Sequence, residues 1–403
     1  MDKPTRAVPM ADATFAPPVM EARRWVEAAR FPANRPLLNL SQAAPIDPPP
    51  ESLRQVMAEA IVRDSSAHIY GPVLGLPALR EEIAAQWSAA YGGEIAPADV
   101  GVTAGCNQAF CAAITAVAAR GEAVMLPTPW YFNHKMWLDM LGIEAVLLPC
   151  GPDMLPSAEA AATLFTRPGS PRIAAIVLVT PNNPTGAEYP AELMTAFAKL
   201  ARSQGAALIV DETYRDFHSQ VGPPHDLFAS PDWRETLVHL YSFSKVFRLT
   251  GHRVGAMIAA PSRLAMAEKF LDTVAICPPQ IGQIAALAGL RTLADWVAAE
   301  RREILDRRAA VTEGMAILPA WRLLGCGAYF AFLAHPFDDL PSDTLARRLV
   351  EETSILTLPG TMFGPRIEEG GDGTAERTLR VAFANADRAG IGEMVERLAG
   401  FAA

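Results

Sequence analysis

Lysine is scarce in this 403-residue sequence, confined to Lys3, Lys135, Lys199, Lys245 and Lys269, while arginine supplies most of the positive charge. An excess of positive charge is lacking too: the formal net charge is −9, which argues against nucleic acid as a general partner. No apolar run is long enough to cross a bilayer. Met1 to Pro17 lacks the apolar segment of a signal peptide, so a cytoplasmic location is expected. The five cysteines, Cys106, Cys111, Cys150, Cys277 and Cys326, are odd in number and scattered, without Cys-x-x-Cys spacing. That fits neither a disulfide framework nor a zinc site, and it suits a reducing compartment. What is present is a globular composition, 50% hydrophobic and 20% charged, in a chain long enough for more than one domain.

The stretch from Tyr241 to Gly255 reads Tyr-Ser-Phe-Ser-Lys-Val-Phe-Arg-Leu-Thr-Gly-His-Arg-Val-Gly. Lys245 follows an apolar, strand-like run, Thr236 to Tyr241, and has Ser242, Phe243 and Ser244 beside it rather than acidic neighbours. Arg253 comes eight residues later, next to two glycines. One lysine amine in a walled pocket is what Schiff-base chemistry needs, and pyridoxal phosphate (PLP) is its commonest partner. A buried structural lysine fits these residues as well, so the rest of the chain has to decide.

Strand-like runs recur at Ala123–Leu126, Ala145–Leu148, Ile173–Val179, Ala207–Val210, Thr236–Tyr241 and Gly255–Ala259, with helical patterns between most of them, notably Pro190–Ser203. This alternation predicts an α/β domain around a mostly parallel, buried sheet. Ligands of such sheets lie at the carboxyl ends of strands. The polar groups Pro181-Asn-Asn-Pro-Thr-Gly186 and Asp211-Glu-Thr-Tyr214 fall there, with Pro129-Trp-Tyr131 and Ser242 to Lys245. Asp211 ends the apolar run Ala207-Leu-Ile-Val, where its carboxylate either caps the next element or pairs with a ligand cation. Thr103-Ala-Gly-Cys-Asn-Gln-Ala109 precedes a small-residue helix, Gln108 to Ala119. A glycine at such a turn exposes N–H groups at a helix N-terminus, either as an anion cradle or as plain capping by Asn107.

Upstream, residues 1 to about 36 read as an arm that packs on something else, another subunit being one candidate, with a helix at Val19–Ala29. A helix is expected from Glu51 to Arg63, then a glycine-punctuated loop from Tyr70 opening a helix at Leu76–Ala90. Downstream of Gln280 a helix-rich stretch runs to Leu318. Short strands at Trp321–Phe332, Thr357–Leu358 and Leu379–Phe383 then suggest a smaller α+β unit. Glu368 to Glu376, polar and glycine-rich, is expected to be mobile. The division expected is 1–48 (arm and part of the small domain), 49–289 (large domain) and 290–403 (small domain).

Pro-Asn-Asn-Pro-Thr-Gly, Asp-Glu-Thr-Tyr and Ser-Phe-Ser-Lys…Gly-His-Arg-Val-Gly, in this order, make the chain resemble the fold-type I PLP enzymes of aminotransferase class I/II, from about Leu37 to Phe383. The resemblance implies PLP, an amino-acid and a 2-oxo-acid substrate, and a homodimer with active sites at the subunit interface. It implies that Lys245 carries the cofactor and moves the substrate proton, and that Asp211 pairs with the pyridine nitrogen. Tyr214 and Asn183 would bond the cofactor's phenolic oxygen and Tyr131 would stack on the ring, with Trp130 the alternative one position earlier. Gly105, Cys106, Asn107, Ser242, Ser244 and Arg253 would form the phosphate cup, Tyr70 would reach the neighbouring subunit's phosphate, and Arg380 would clamp the substrate α-carboxylate.

Two positions depart from the family pattern. Arg248 stands where glycine is usual, and Ala44 stands near the substrate where many relatives have glycine. No arginine occurs between Arg263 and Arg291, roughly where dicarboxylate-specific relatives place a second one. Aspartate specificity by that device is disfavoured, which leaves neutral, aromatic or basic side chains. The alternatives are a PLP-dependent cystathionine-type β-lyase and a non-catalytic ligand-sensing domain. The latter would need a DNA-binding module that the residues before Leu37 are too few to build.

Overall fold

The computed structural model describes residues 9–402. The first eight residues, with Lys3 and the start of the arm, lie outside the described residues, as does Ala403. A seven-stranded sheet organises the chain. Its spatial order is Val100–Thr103, Gly255–Ile258, Leu237–Ser242, Ala207–Asp211, Ile173–Val179, Ala123–Thr128 and Glu144–Pro149. Every pairing is parallel except those of Gly255–Ile258, which runs against both neighbours.

The central strands are buried on both faces, and their side chains alternate between two cores. Ile176 and Leu178 join Leu208 and Val210 on one side, with Met194, Phe197 and Ala201 of the helix Ala191–Ser203. Ala175, Val177, Ala207 and Ile209 face the other side, against Ala109, Phe110, Ala113 and Ile114 of the helix Cys106–Val117. This is why the strands read as continuous apolar runs. Burying a single Leu or Ile of this kind stabilises by about 1.5–3 kcal/mol.

A second sheet of four antiparallel strands has the order Leu358–Pro359, Thr378–Ala382, Phe330–Ala334, Arg322–Gly327. The expected single strand Trp321–Phe332 is thus a hairpin. Its turn is made by Ala328, which adopts φ +45, a backbone choice that the apolar run does not signal. Thr357 likewise separates two short strands, Ile355–Leu356 and Leu358–Pro359. The stretch Glu368 to Glu376 contains two single-turn 3₁₀ segments, Ile367–Glu369 and Ala375–Arg377, tied by the Glu376 carboxylate accepting from the Ile367 N–H.

The N-terminal helix Pro18–Ala28 joins one of the cores of its own chain through Ala22. Ala22, with Val19, Trp25 and Val26, belongs to the core that also holds Leu126, Phe132, Val350 and Leu356. Leu38–Asn39 pairs in parallel with Ile355–Leu356, and the Leu40 carbonyl accepts from the Ala382 N–H. These bonds lead the chain across the top of the large sheet. Among the described residues no helix is long and apolar enough to cross a membrane.

Candidate active site

The parallel strands deliver Val179, Asp211 and Ser242 to one rim of the sheet. Because Gly255–Ile258 runs the other way, its amino end brings Arg253 to the same rim, where Gly255 pairs with both Ser242 and Thr103. A cavity of about 360 Å³ opens there. Eleven of the sequence-derived site residues line it: Ala44, Cys106, Asn107, Tyr131, Asn183, Asp211, Tyr214, Ser242, Ser244, Lys245 and Arg253.

Lys245 lies in the single turn Phe243–Val246, which Ser242 caps by accepting the Ser244 N–H. Its Nζ donates to the Ala43 carbonyl at 2.6 Å. Among the described residues no carboxylate pairs with it. Burial, then the nearby charges of Arg253 and Arg380, bring its pKa down from 10.5 to about 8. The amine is therefore neutral in about one molecule in ten at pH 7, far more often than a free lysine.

Asp211 is held below the usual carboxylate range. Burial, the largest single influence, works against this, but His134, with Nε2 3.3 Å from Oδ2, and the N–H and hydroxyl of Thr213, which donate to Oδ1 at 3.0 and 2.7 Å, together outweigh it. The His134 ring is stacked on Phe110 at 3.8 Å and so cannot swing away. Asp211 thus presents a fixed negative charge at the cavity wall, and Tyr131 forms another wall with its hydroxyl donating to Asn107 at 3.3 Å.

Gly105 takes φ +87 just before the helix Cys106–Val117. A side chain at Gly105 would place Cβ 2.2 Å from Nη2 of Arg253. Only glycine lets the guanidinium reach the helix N-terminus. Arg253 donates to the Ser244 hydroxyl at 3.3 Å and to the Thr250 carbonyl at 3.0 Å. Exposed amide dipoles, two serines and an arginine make this an anion site.

Arg380 sits mid-strand in the small sheet, 2% exposed, opposite Phe332 and Leu358. It donates to Asn183 Oδ1 at 3.0 Å and to the Ser41 carbonyl, between the rings of Phe330 and Phe363. Burial lowers its pKa to about 10, still charged at neutral pH. Gly186 and Gly327 let the Asn183 loop abut the small sheet backbone to backbone, since a Cβ on Gly186 would lie 2.4 Å from Gly327 N. Tyr70 is the one predicted site residue that is not gathered here. It is 76% exposed and away from this cavity. Trp130, the alternative to Tyr131, packs into the core and does not line the cavity.

Sequence reasoning missed His134, Thr213, Gln42, Val179, Thr250 and the carbonyls of Ser41 and Ala43. His134 gave little signal: it lies one helical turn after Tyr131, but between Asn133 and Lys135. Backbone carbonyls carry none.

The residues fit PLP by their chemistry: an anion site, a fixed carboxylate and a lysine of depressed pKa line one cavity. The family model "Aminotransferase class I and II" matches residues 35–398. The valine–pyruvate aminotransferase of Mycobacterium tuberculosis is 30% identical over 354 residues, 86% of this chain and 88% of that protein. An aromatic aminotransferase of Arabidopsis thaliana is 28% identical over 360 residues, with coverage of 86% and 88%. In fold the chain is similar to the Thermus thermophilus aspartate aminotransferase solved with maleate, at TM-score 0.86 and 23% identity, covering 98% of this chain and 99% of that one.

Proposed function

The chain belongs to the class I and II aminotransferases, and on that premise we propose that it moves the amino group of a neutral L-amino acid to a 2-oxo acid with PLP held at Lys245. The observation that carries this reading is the half-buried, carboxylate-free Lys245, which shares one cavity with Asp211 and Arg253. The curated relatives reported above are named as aminotransferases, so the β-lyase alternative is not favoured.

When bound, PLP supplies an electron sink and a carbonyl carbon at which amino groups exchange. The chain's own groups do the rest. Lys245 would provide the nucleophilic amine and would move the proton at the substrate Cα. Asp211, kept ionised by His134 and Thr213, holds a proton on the ring nitrogen. Asn183 and Tyr214 would bond the cofactor's phenolic oxygen, and Tyr131 would wall its ring. Ser242, Ser244, Arg253 and the amides at Gly105, Cys106 and Asn107 hold the phosphate. Arg380 binds the substrate α-carboxylate through two parallel hydrogen bonds.

Tyr70 serves a second copy of the chain in this reading, which makes the enzyme a homodimer. Support comes from exposed apolar side chains of the same segment, Ile69 next to it at 66% and Val62 at 80%. The domain boundaries near residues 48 and 289 and a cytoplasmic location belong to the same proposal. Among the described residues, the cations lining the cavity are Lys245 and Arg253, both already committed to the cofactor. The remaining walls, Val179 and Ala44 with the uncharged Gln42, Thr213 and Thr250, suit a neutral side chain.

Titrating the PLP-loaded protein with single amino acids tests this. The visible band of lysine-bound PLP should be lost with release of one oxo acid per cofactor, most readily with neutral donors. Ammonia and pyruvate with the band restored would instead mean a lyase. No visible band would contradict the assignment of Lys245.

A further inference from the structure

A strap, residues 41–47, crosses the cavity mouth between the Leu38–Asn39 strand and the helix Glu51–Arg63. Gln42 and Ala44 line the cavity itself. Two strap carbonyls hold the two cations behind them: Ser41 accepts from Arg380, and Ala43 accepts from Lys245 at 2.6 Å. Asn385 fixes the middle of the strap, donating to the carbonyls of Ala44 and Gln42 at 2.7 and 3.4 Å and accepting from the Ile46 N–H at 3.3 Å. At the far end Asp47, 66% exposed, meets the Arg248 guanidinium at 3.3 Å.

Arg248 is in an unusual state for what would otherwise be a surface arginine. Its N–H donates to the Lys245 carbonyl at 3.3 Å, so it directly follows the lysine's turn. Its φ is +55, a conformation that disfavours any side chain and is natural for glycine. Its guanidinium also donates through Nε and Nη2 to Glu300 at 3.2 and 2.7 Å and lies 5.5 Å from the Trp296 ring. Glu300 belongs to the long helix Ala294–Ala316. One side chain therefore joins the lysine's turn, this helix and the end of the strap.

We propose that Arg248 is a positioning residue: by bridging Glu300 and Asp47 it pins the strap, and through the Ser41 and Ala43 carbonyls it sets the orientation of Arg380 and Lys245. The catalytic part of this rests on the aminotransferase reading above; the pinning does not. An arginine here accepts backbone strain that a glycine would avoid, and the three-way bridge offsets it. The strap arm is an exposed ion pair and is weakened by salt.

The test uses Arg248→Gly, which relieves backbone strain as it removes the bridge, and Asp47→Asn, which removes only the strap arm. Hydrogen exchange of the peptide spanning 41–47 is read by mass spectrometry on the full chain without cofactor or substrate. Both variants should exchange about three- to tenfold faster there than the parent, and added salt should accelerate the parent but not the variants. With PLP bound, both should raise KM for the amino donor about three- to tenfold while kcat changes less. Faster exchange confined to the helix Ala294–Ala316, with 41–47 unchanged, would make Arg248 a mere anchor and overturn the proposal. Faster strap exchange with KM unmoved would overturn the orienting role. Absence of transamination in the parent would defeat the functional reading while leaving the exchange result to decide the pinning.

Discussion

Asp211 and Glu212 are neighbours in the chain and both are buried, at 4% and 0% exposure, yet they sit in opposite kinds of environment. Asp211 opens onto the cavity with His134 and Thr213 behind it. Glu212 points into the protein, where Tyr91 donates to it, His239 meets it at 2.7 Å and His225 lies at 3.4 Å. Close by, the Arg215 guanidinium is stacked on Trp87 at 4.0 Å. Both carboxylates are held below the usual range by their histidine partners. A perturbed, buried charge is therefore not by itself a site. What separates the two is whether one side of the group is left for a ligand, and Lys245 on the far wall gives that side its chemistry.

The contrast is sharpest at Lys245. Lys245→Ala should abolish turnover, by on the order of 10⁵-fold or more, with the folded state retained by circular dichroism. Next, Asp211→Ala should lower kcat about 10²- to 10³-fold with little change in thermal midpoint. Glu212→Ala should do the reverse. Leaving its histidine and arginine neighbours uncompensated costs about 3–5 kcal/mol of stability, while kcat per folded molecule stays within about threefold. If Glu212→Ala lost activity without losing stability, the two carboxylates would not be divided as described.

A pH dependence sharpens the same comparison. The pKa of Lys245 is lowered in the folded state from 10.5 to about 8, so the unfolded chain binds more protons between those values. Stability of the cofactor-free protein should rise with pH through that window, because the penalty for a buried ammonium is complete below pH 8 and fades above it. Lys245→Met should accordingly be more stable than the parent at pH 7 by about 3 kcal/mol at most, and the advantage should vanish by about pH 11. Melting curves at several pH values check this.

Much of the site was legible because it hangs on strand ends and turns. Asp211 closes an apolar run, Lys245 follows one, and Gly105 opens a helix. Their types and places follow from periodicity and backbone conformation. His134 was not, since nothing local tells whether a buried histidine faces a carboxylate or the core. The strap carbonyls were illegible for a plainer reason: every residue has a carbonyl, and only tertiary packing chooses Ser41 and Ala43. The hairpin hidden in Trp321–Phe332 turned on Ala328 adopting a positive φ. What the N-terminal helix packs on was left open because its apolar stripe names no partner; the core it joins includes Leu126, Phe132, Val350 and Leu356, far apart in sequence.

Reduction with borohydride of the protein incubated with PLP, followed by peptide mapping, tests the central claim most directly. One pyridoxyl group per chain on Lys245 is the result expected from its depressed pKa and its place in one cavity with Asp211 and Arg253. Label spread over Lys135, Lys199 and Lys269, or no label at all, would contradict it.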